Sequence, residues 1–298
     1  MSSIPQFSIA EGSPIVPTQA KHPELGGICL DRIGLERVGV ERIRALPKLG
    51  QVMAASRLEV RPIPEMAASG VGVLDTLTGG WPRGCLSEIC GSASSGRSSV
   101  MLAGLSAATQ RQEVCALVDA SDMFDPESGA AAGVDFERLL WVRCDASVRE
   151  PRRHRITEKR NKNSAEMEPA VEQAMRVTDL LLQSGGFGMV VVDLGGVPFR
   201  TVRRIPVASW FRYQRAVEHA ATVLLVITPA PCTQSCAMTQ VKLSATGCYL
   251  SVRGEAIPAH AKLLGGISVE GELLRTRLVK PVRSVRAAFD TRAVRGVN

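Results

Sequence analysis

The 298-residue chain is 45% hydrophobic and 22% charged, near the globular average, so it reads as neither a disordered tail nor a fibrous repeat. Its longest apolar runs, Met189 to Val192 and Val223 to Ile227, fall far short of the roughly 18 residues a membrane span requires, so no membrane partner is expected. A formal net charge of +7 favours polyanionic partners, nucleic acid first among them.

The opening stretch, MSSIPQFSIAEGSPIVP, has no basic segment leading into an apolar one, so no secretory signal is expected and the cytoplasm is the expected compartment. Eight dispersed cysteines then read as reduced thiols, not a disulfide framework. Residues 1–30 carry Pro5, Pro14, Pro17, Pro23, Gly26 and Gly27 and offer little surface to bury, which predicts a disordered arm. Residues 31–64 predict a short helix from Asp31 to Leu46, ended by Pro47, and a linker.

Residues 65–290 form the core in this reading. Leu86 to Cys90, Val114 to Val118, Leu139 to Val142, Met189 to Val192 and Val223 to Ile227 are strand-like, and Ser98 to Thr109, Ala170 to Gln183 and Val207 to Ala220 are helical. Near-continuous apolar strands alternating with helices predict an α/β fold whose mostly parallel central sheet is flanked by helices. Cys248 to Arg253 and Leu273 to Pro281 are expected to add antiparallel edge strands. Within a 149–168 insertion, Arg149 to Lys162 holds seven Arg or Lys against two Glu and predicts a solvated basic loop. It is either a charged insertion without a specific role or an arm that contacts phosphates. Residues 291–298 are read as a C-terminal tail.

Chemistry concentrates at Gly91-Ser92-Ala93-Ser94-Ser95-Gly96-Arg97-Ser98, set between the strand LSEIC and an Ala/Leu-rich helix. That is the context of a phosphate-binding loop, whose consensus G-x-x-x-x-G-K-[ST] is met everywhere except at Arg97. Glycines allow a turn that points backbone N–H groups inward, and the helix N-terminus adds partial positive charge. Gly91, Ser92, Ser94, Ser95, Gly96, Arg97, Ser98 and Ser99 are therefore the candidate nucleotide-binding residues. Arginine keeps the lysine charge but alters the geometry toward the β- and γ-phosphates, and a structural turn without ligand remains the alternative. A Cβ at Gly96 is expected to fill the phosphate's space. Asp193, closing the run Met189 to Val192, adds a carboxylate at a strand end, and Ser98 with Asp193 form the candidate Mg2+ site beside ATP.

Gly70-Val71-Gly72-Val73-Leu74-Asp75 through Gly79-Gly80-Trp81-Pro82-Arg83-Gly84, the segment Leu86 to Ile89 and the loop together resemble the opening of the RecA recombinase core. Cys115 to Ala120, Asp125-Pro126, Ala132 to Asp135, Leu139-Leu140 and Val190 to Asp193 extend the resemblance over about residues 65 to 290. Gly79 to Gly84 looks more like the ImuA and SulA type of RecA-like paralogue, accessories of translesion synthesis. The resemblance implies a RecA-like P-loop NTPase core, ATP and Mg2+, single-stranded DNA, a translesion polymerase or ImuB-like partner, and self-association or association with RecA.

Three departures fall on the family's hydrolysis and signalling positions. Ser121 stands where the water-orienting glutamate is expected, Pro229 where a polar sensor is expected, and Arg97 in the loop. Ser121 cannot take a proton as a carboxylate does, and neighbouring Asp122 is expected to point elsewhere on an extended segment. ATP hydrolysis is expected to be weak or lost.

The family's two DNA-binding loops correspond to Gly195 to Pro206, with Arg200, Arg203 and Arg204, and Pro231 to Gly247, with Gln234, Gln240 and Lys242. The run Trp210 to Arg215 offers aromatics for base stacking, although Trp210, Tyr213, Val217 and Ala221 fall at helical spacing and point to a core face. Lys280 or Arg283, in the basic stretch Arg275 to Arg295, corresponds to residues that reach a neighbouring subunit's nucleotide, unless that stretch is only a charged edge strand. Two functions stand side by side: a DNA damage response protein that binds ATP and DNA, and a degenerate scaffold that binds polymerase partners without either.

Overall fold

In the computed structural model, residues 63–144, 168–251, 263–278 and 286–292 are described. They all belong to one unit, Pro62–Asn298. The arm of 1–30, the helix of Asp31 to Leu46, the basic insertion, Lys280 and Arg283 lie outside the described residues.

Five parallel strands run from the centre of the sheet to one edge: β3 (Cys85–Gly91), β4 (Cys115–Asp119), β6 (Met189–Asp193) and β7 (Val223–Thr228), with the half-exposed β5 (Leu139–Arg143) outermost. Every residue of β3, β4 and β7 is buried. Alternate side chains feed two cores. Leu86, Val118, Val192 and Val226 pack on one face with α4 (Pro169–Ser184) and α6 (Val207–Val217). Ile89, Leu117, Val191 and Leu225 pack on the other with α1 (Gly72–Thr78) and α2 (Arg97–Gln110), and the short α3 (Pro126–Ala131) follows β4. Each fully buried Val, Leu or Ile contributes about 1.5–3 kcal/mol, so the stacked β-branched runs dominate stability.

The eight-stranded sheet has the order β10-β9-β8-β3-β7-β6-β4-β5, in which β8 (Thr239–Ser251), β9 (Leu263–Thr276) and β10 (Arg286–Arg292) form one edge. The six strands from β8 to β5 are parallel, and β9 and β10 each run antiparallel to the neighbour before them. A two-stranded ribbon, β1 (Met66–Ala67) with β2 (Trp81–Pro82), brackets α1. The chain thus has a RecA-like α/β core.

Four expectations are corrected. The second DNA loop was expected over Pro231 to Gly247, but β8 begins at Thr239 and pairs in parallel with β3, so Gln240 and Lys242 are strand residues. Backbone pairing on both sides outweighs the loop-like Ser, Thr and Gly content. Secondly, the outermost strand β10 continues through Arg292, two residues into the expected tail, whereas Cys248 to Ser251 pair antiparallel with β9 as expected. Thirdly, α6 ends at Val217, leaving Ala221 exposed beyond the core face. Lastly, the segment after β4 is not extended: Asp122 adopts φ 52° because the Asp119 carboxylate gathers the amides of Ser121, Met123 and Phe124 into a turn.

Candidate functional site

β3 delivers Gly91 to the carboxyl edge of the parallel sheet, and the chain turns directly into the fourteen-residue α2. Gly96 is the N-cap at φ 89°, a left-handed conformation that glycine adopts without a Cβ penalty, and Ser94 also has positive φ at 57°. No side chain caps the helix, whose first turn is joined by Val100 N–H donating to the Gly96 carbonyl at 3.0 Å. The α2 N-terminus therefore presents uncapped N–H groups, and Ser92, Ser94 and Ser98 are exposed around it. Ser95 is buried at 1% exposure, and its hydroxyl has no hydrogen-bond partner. A Cβ at Gly96 would stand 2.7 Å from Cγ2 of Val269 on β9, so this glycine makes room for the sheet and not, as expected, for a phosphate.

Arg97 reaches across to the turn that follows β6. Its Nη2 donates to the Gly195 carbonyl at 3.2 Å, while Nη1 is buried without a partner. Asp193 lies on the same spot: a Cβ at Gly195 would be 2.9 Å from Asp193 Oδ1 and 3.1 Å from Arg97 Nη1. A side chain at Gly195 would have to displace one or the other. Burial pushes the Asp193 carboxyl up to about 6, against the Gly195 N–H that donates to Oδ1 at 2.8 Å, with repulsion from Asp119 and attraction from Arg97. Burial lowers the Arg97 guanidinium, and Asp193 holds it up. The loop's donors fit the oxygens of a phosphate chain. The pair Ser98 and Asp193 does not fit a divalent cation, because a fixed guanidinium already faces Asp193. Among the described residues no group of three or more His, Cys, Asp or Glu has metal-binding proximity.

Around the site the substitutions are filled in. Gly196 closes over Ser121, where an added Cβ would sit 2.6 Å from the Ser121 hydroxyl and from Met123 sulfur. Asp122 receives both hydrogen bonds of the Arg143 guanidinium at 2.6 Å, so its carboxyl stays below the usual range and turned from the loop. Pro229 follows Thr228, whose hydroxyl donates to Glu88 at 2.8 Å. Glu88, fully buried on β3, also accepts from the Cys232 amide at 2.8 Å, from Thr233 and from the Gln240 side-chain amide at 2.6 Å. Sequence reasoning assigned Glu88 no role. A carboxylate inside an apolar strand was the available signal, since such a group must find donors.

Of the candidate DNA residues, Arg200 lies on the short α5 (Phe199–Val202) with Arg203 and Arg204 just after it. All three are exposed, and none forms an ion pair among the described residues. Gln234 sits in a 3-10 turn at φ 50°, where its carbonyl accepts from Arg275 at 2.8 Å. Lys242 is exposed on β8, paired with Cys90 of β3, and with Arg97 it opposes the burial that pushes the Cys90 thiol up to about 12. These residues lie on three separate elements. Trp210 and Tyr213 are buried edge to face, and the Tyr213 hydroxyl donates to the Met175 carbonyl at 2.6 Å, so neither can stack on a base. The exposed aromatics among the described residues are Phe136, Phe199, Phe211 and Tyr249, of which Phe211 alone belongs to the run Trp210 to Arg215.

A glycine-bearing turn that opens a helix at the carboxyl edge of a mostly parallel sheet is the arrangement shared by phosphate-loop α/β cores. Residues 40–150 match the family model described as the RecA N-terminal domain. The chain is similar to Protein RecA of Symbiobacterium thermophilum, with 32% identity over 150 residues, half of this chain and 35% of that protein. It is similar to Protein RecA of Kineococcus radiotolerans, with 31% identity over 137 residues, 45% of this chain and 32% of that protein. Protein RecA of Francisella tularensis subsp. novicida is 29% identical over 151 residues, half of this chain and 34% of that protein. The chain spans about a third of the length of the curated relatives it matches. No helix among the described residues is long and apolar enough to cross a membrane.

Proposed function

We propose that this protein is a RecA-like DNA repair protein that binds the phosphates of ATP at Gly91 to Ser99 and single-stranded DNA through exposed arginines, with ATP hydrolysis weak or absent. The observation that carries this reading is the loop itself. An uncapped α2 N-terminus and two buried donors without acceptors, Ser95 Oγ and Arg97 Nη1, await anionic oxygens. When bound, ATP supplies a triphosphate whose charge the loop neutralises. Ser95, Ser98, Ser99 and the loop amides orient it, and Arg97 holds a donor toward it. Among the described residues after β4, none is free to activate water: Ser121 is closed over by Gly196, Asp122 is held by Arg143, and the Asp119 carboxylate is spent on three amides. Nucleotide then acts as a ligand and not as a fuel. Single-stranded DNA is placed on Arg200, Arg203 and Arg204 with Phe199 and Phe211 nearby in sequence. The translesion role, the polymerase or ImuB-like partner, self-association and a cytoplasmic location belong to the same proposal.

Thermal unfolding with nucleotide tests the reading. ATP at about 100 times its dissociation constant adds roughly 2.7 kcal/mol, a shift of several degrees for a domain of this size. Ser98→Glu is the better control than a Gly96 variant, since Ser98 is exposed and an acidic residue suits a helix's first turn but repels phosphate. Its melting without ligand should match the wild type, and its response to ATP should vanish. A wild type that does not respond favours the scaffold reading, in which Arg97, Gly195 and Asp193 are a structural cluster.

A further inference from the structure

We infer that the loop takes its triphosphate without a divalent cation, the Arg97 guanidinium supplying the positive charge that a metal supplies in other phosphate loops. This rests on the phosphate reading above. Arg97 is 9% exposed and is fixed at one end, where Nη2 donates to the Gly195 carbonyl. Its other end, Nη1, is buried with no acceptor. A guanidinium never loses its charge at ordinary pH, and its planar fork suits two phosphate oxygens at once. The carboxylate a metal would need is already engaged: Asp193 Oδ1 accepts the Gly195 N–H at 2.8 Å and feels the Arg97 charge. A dication placed between Ser98 and Asp193 would stand beside that fixed cation and be repelled by it. Gly195 is part of the device, because a Cβ there would come within 3.1 Å of Nη1 and 3.3 Å of Cζ of Arg97. Ser95 Oγ, at 1% exposure and also unpartnered, gives the chain of phosphates a second buried donor in the same loop. The site is built for an anion and has its cation covalently attached.

Methylanthraniloyl-ATP, titrated into the full chain by fluorescence anisotropy in excess magnesium and again in excess EDTA, tests this. The two dissociation constants should agree within about threefold. Arg97→Ala should lose binding in EDTA. Arg97→Lys, which frees Asp193 from the guanidinium, should gain a magnesium dependence of about tenfold or more. Gly195→Ala keeps the charge and displaces it, so it should weaken binding in EDTA while circular dichroism reports an intact fold. Wild-type binding that requires magnesium overturns the inference and leaves the phosphate reading standing. Absence of binding in both buffers overturns the two together. Should the Arg97 variants fail to fold, the wild-type ratio decides alone.

Discussion

Burial lifts the Asp193 carboxyl to about 6, and the folded protein therefore holds that proton more tightly than the unfolded chain does. For an acid whose folded value is raised, ionisation costs stability as pH climbs from about 4 toward 6, and the full cost is present above 6. Asp193→Asn keeps an oxygen for the Gly195 N–H and removes the charge. It should raise stability at pH 7.5 by about 2–3 kcal/mol, with the gain shrinking by roughly half near pH 5. Melting curves of both proteins across that range check it, and a gain independent of pH would show that Asp193 does not titrate as described. At this scale the spacing of Gly91, Gly96 and Ser98 made the loop legible. The direction of Arg97 was not legible, because it is set by Gly195, far along the chain at the end of another strand. The role of Gly96 was misread for the same reason, its neighbour Val269 lying on β9.

Glu88 couples the strand that carries the phosphate loop to the end of β7, to the turn at Cys232 and Thr233, and to β8. Removing it strands several buried donors, and a buried donor left without an acceptor costs about 1–3 kcal/mol. Glu88→Ala should therefore lower the urea-derived unfolding free energy by about 3 kcal/mol or more, while Thr228→Val, which removes one donor only, should cost about 1 kcal/mol. Near-equal losses would mean that the carboxylate does not organise the cluster. The central strands were legible because continuous apolar runs need no knowledge of partners. Thr239 to Gly247 was not, since its Ser, Thr and Gly content reads as a loop until β3 and β9 are paired on either side. β10 is similar: Ala, Phe and Asp alternate between half-buried and exposed, and only β9 supplies the reason for a strand.

Across the whole molecule, the +7 charge is a statement about association, and the exposed arginines after β6 give it a place. Replacing Arg200, Arg203 and Arg204 with Ala should weaken single-stranded DNA binding and flatten its salt dependence by about 0.7 in log–log slope for each phosphate no longer neutralised. Phe211→Ala, which removes an exposed aromatic, should weaken affinity while leaving that slope unchanged. An unaltered slope in the triple variant would move the DNA surface to Lys242 or to basic segments outside the described residues. The fold as a whole was legible from the alternation of apolar strands and helices, and the position of the candidate site from the loop motif set between an apolar strand and an Ala/Leu-rich helix. What each replaced residue touches emerged only from the folded chain.

Nucleotide held but not spent is the central claim, and a single-turnover experiment tests it most directly. Protein in excess over labelled ATP, with single-stranded DNA present, is filtered at intervals, and the retained label is resolved into ATP and ADP. The account predicts retained label that stays ATP over many minutes, far below the roughly 1 per second of an ordinary enzyme. No retained label would leave only the scaffold, and label retained then converted to ADP within seconds would mean that a water-activating group operates despite Ser121.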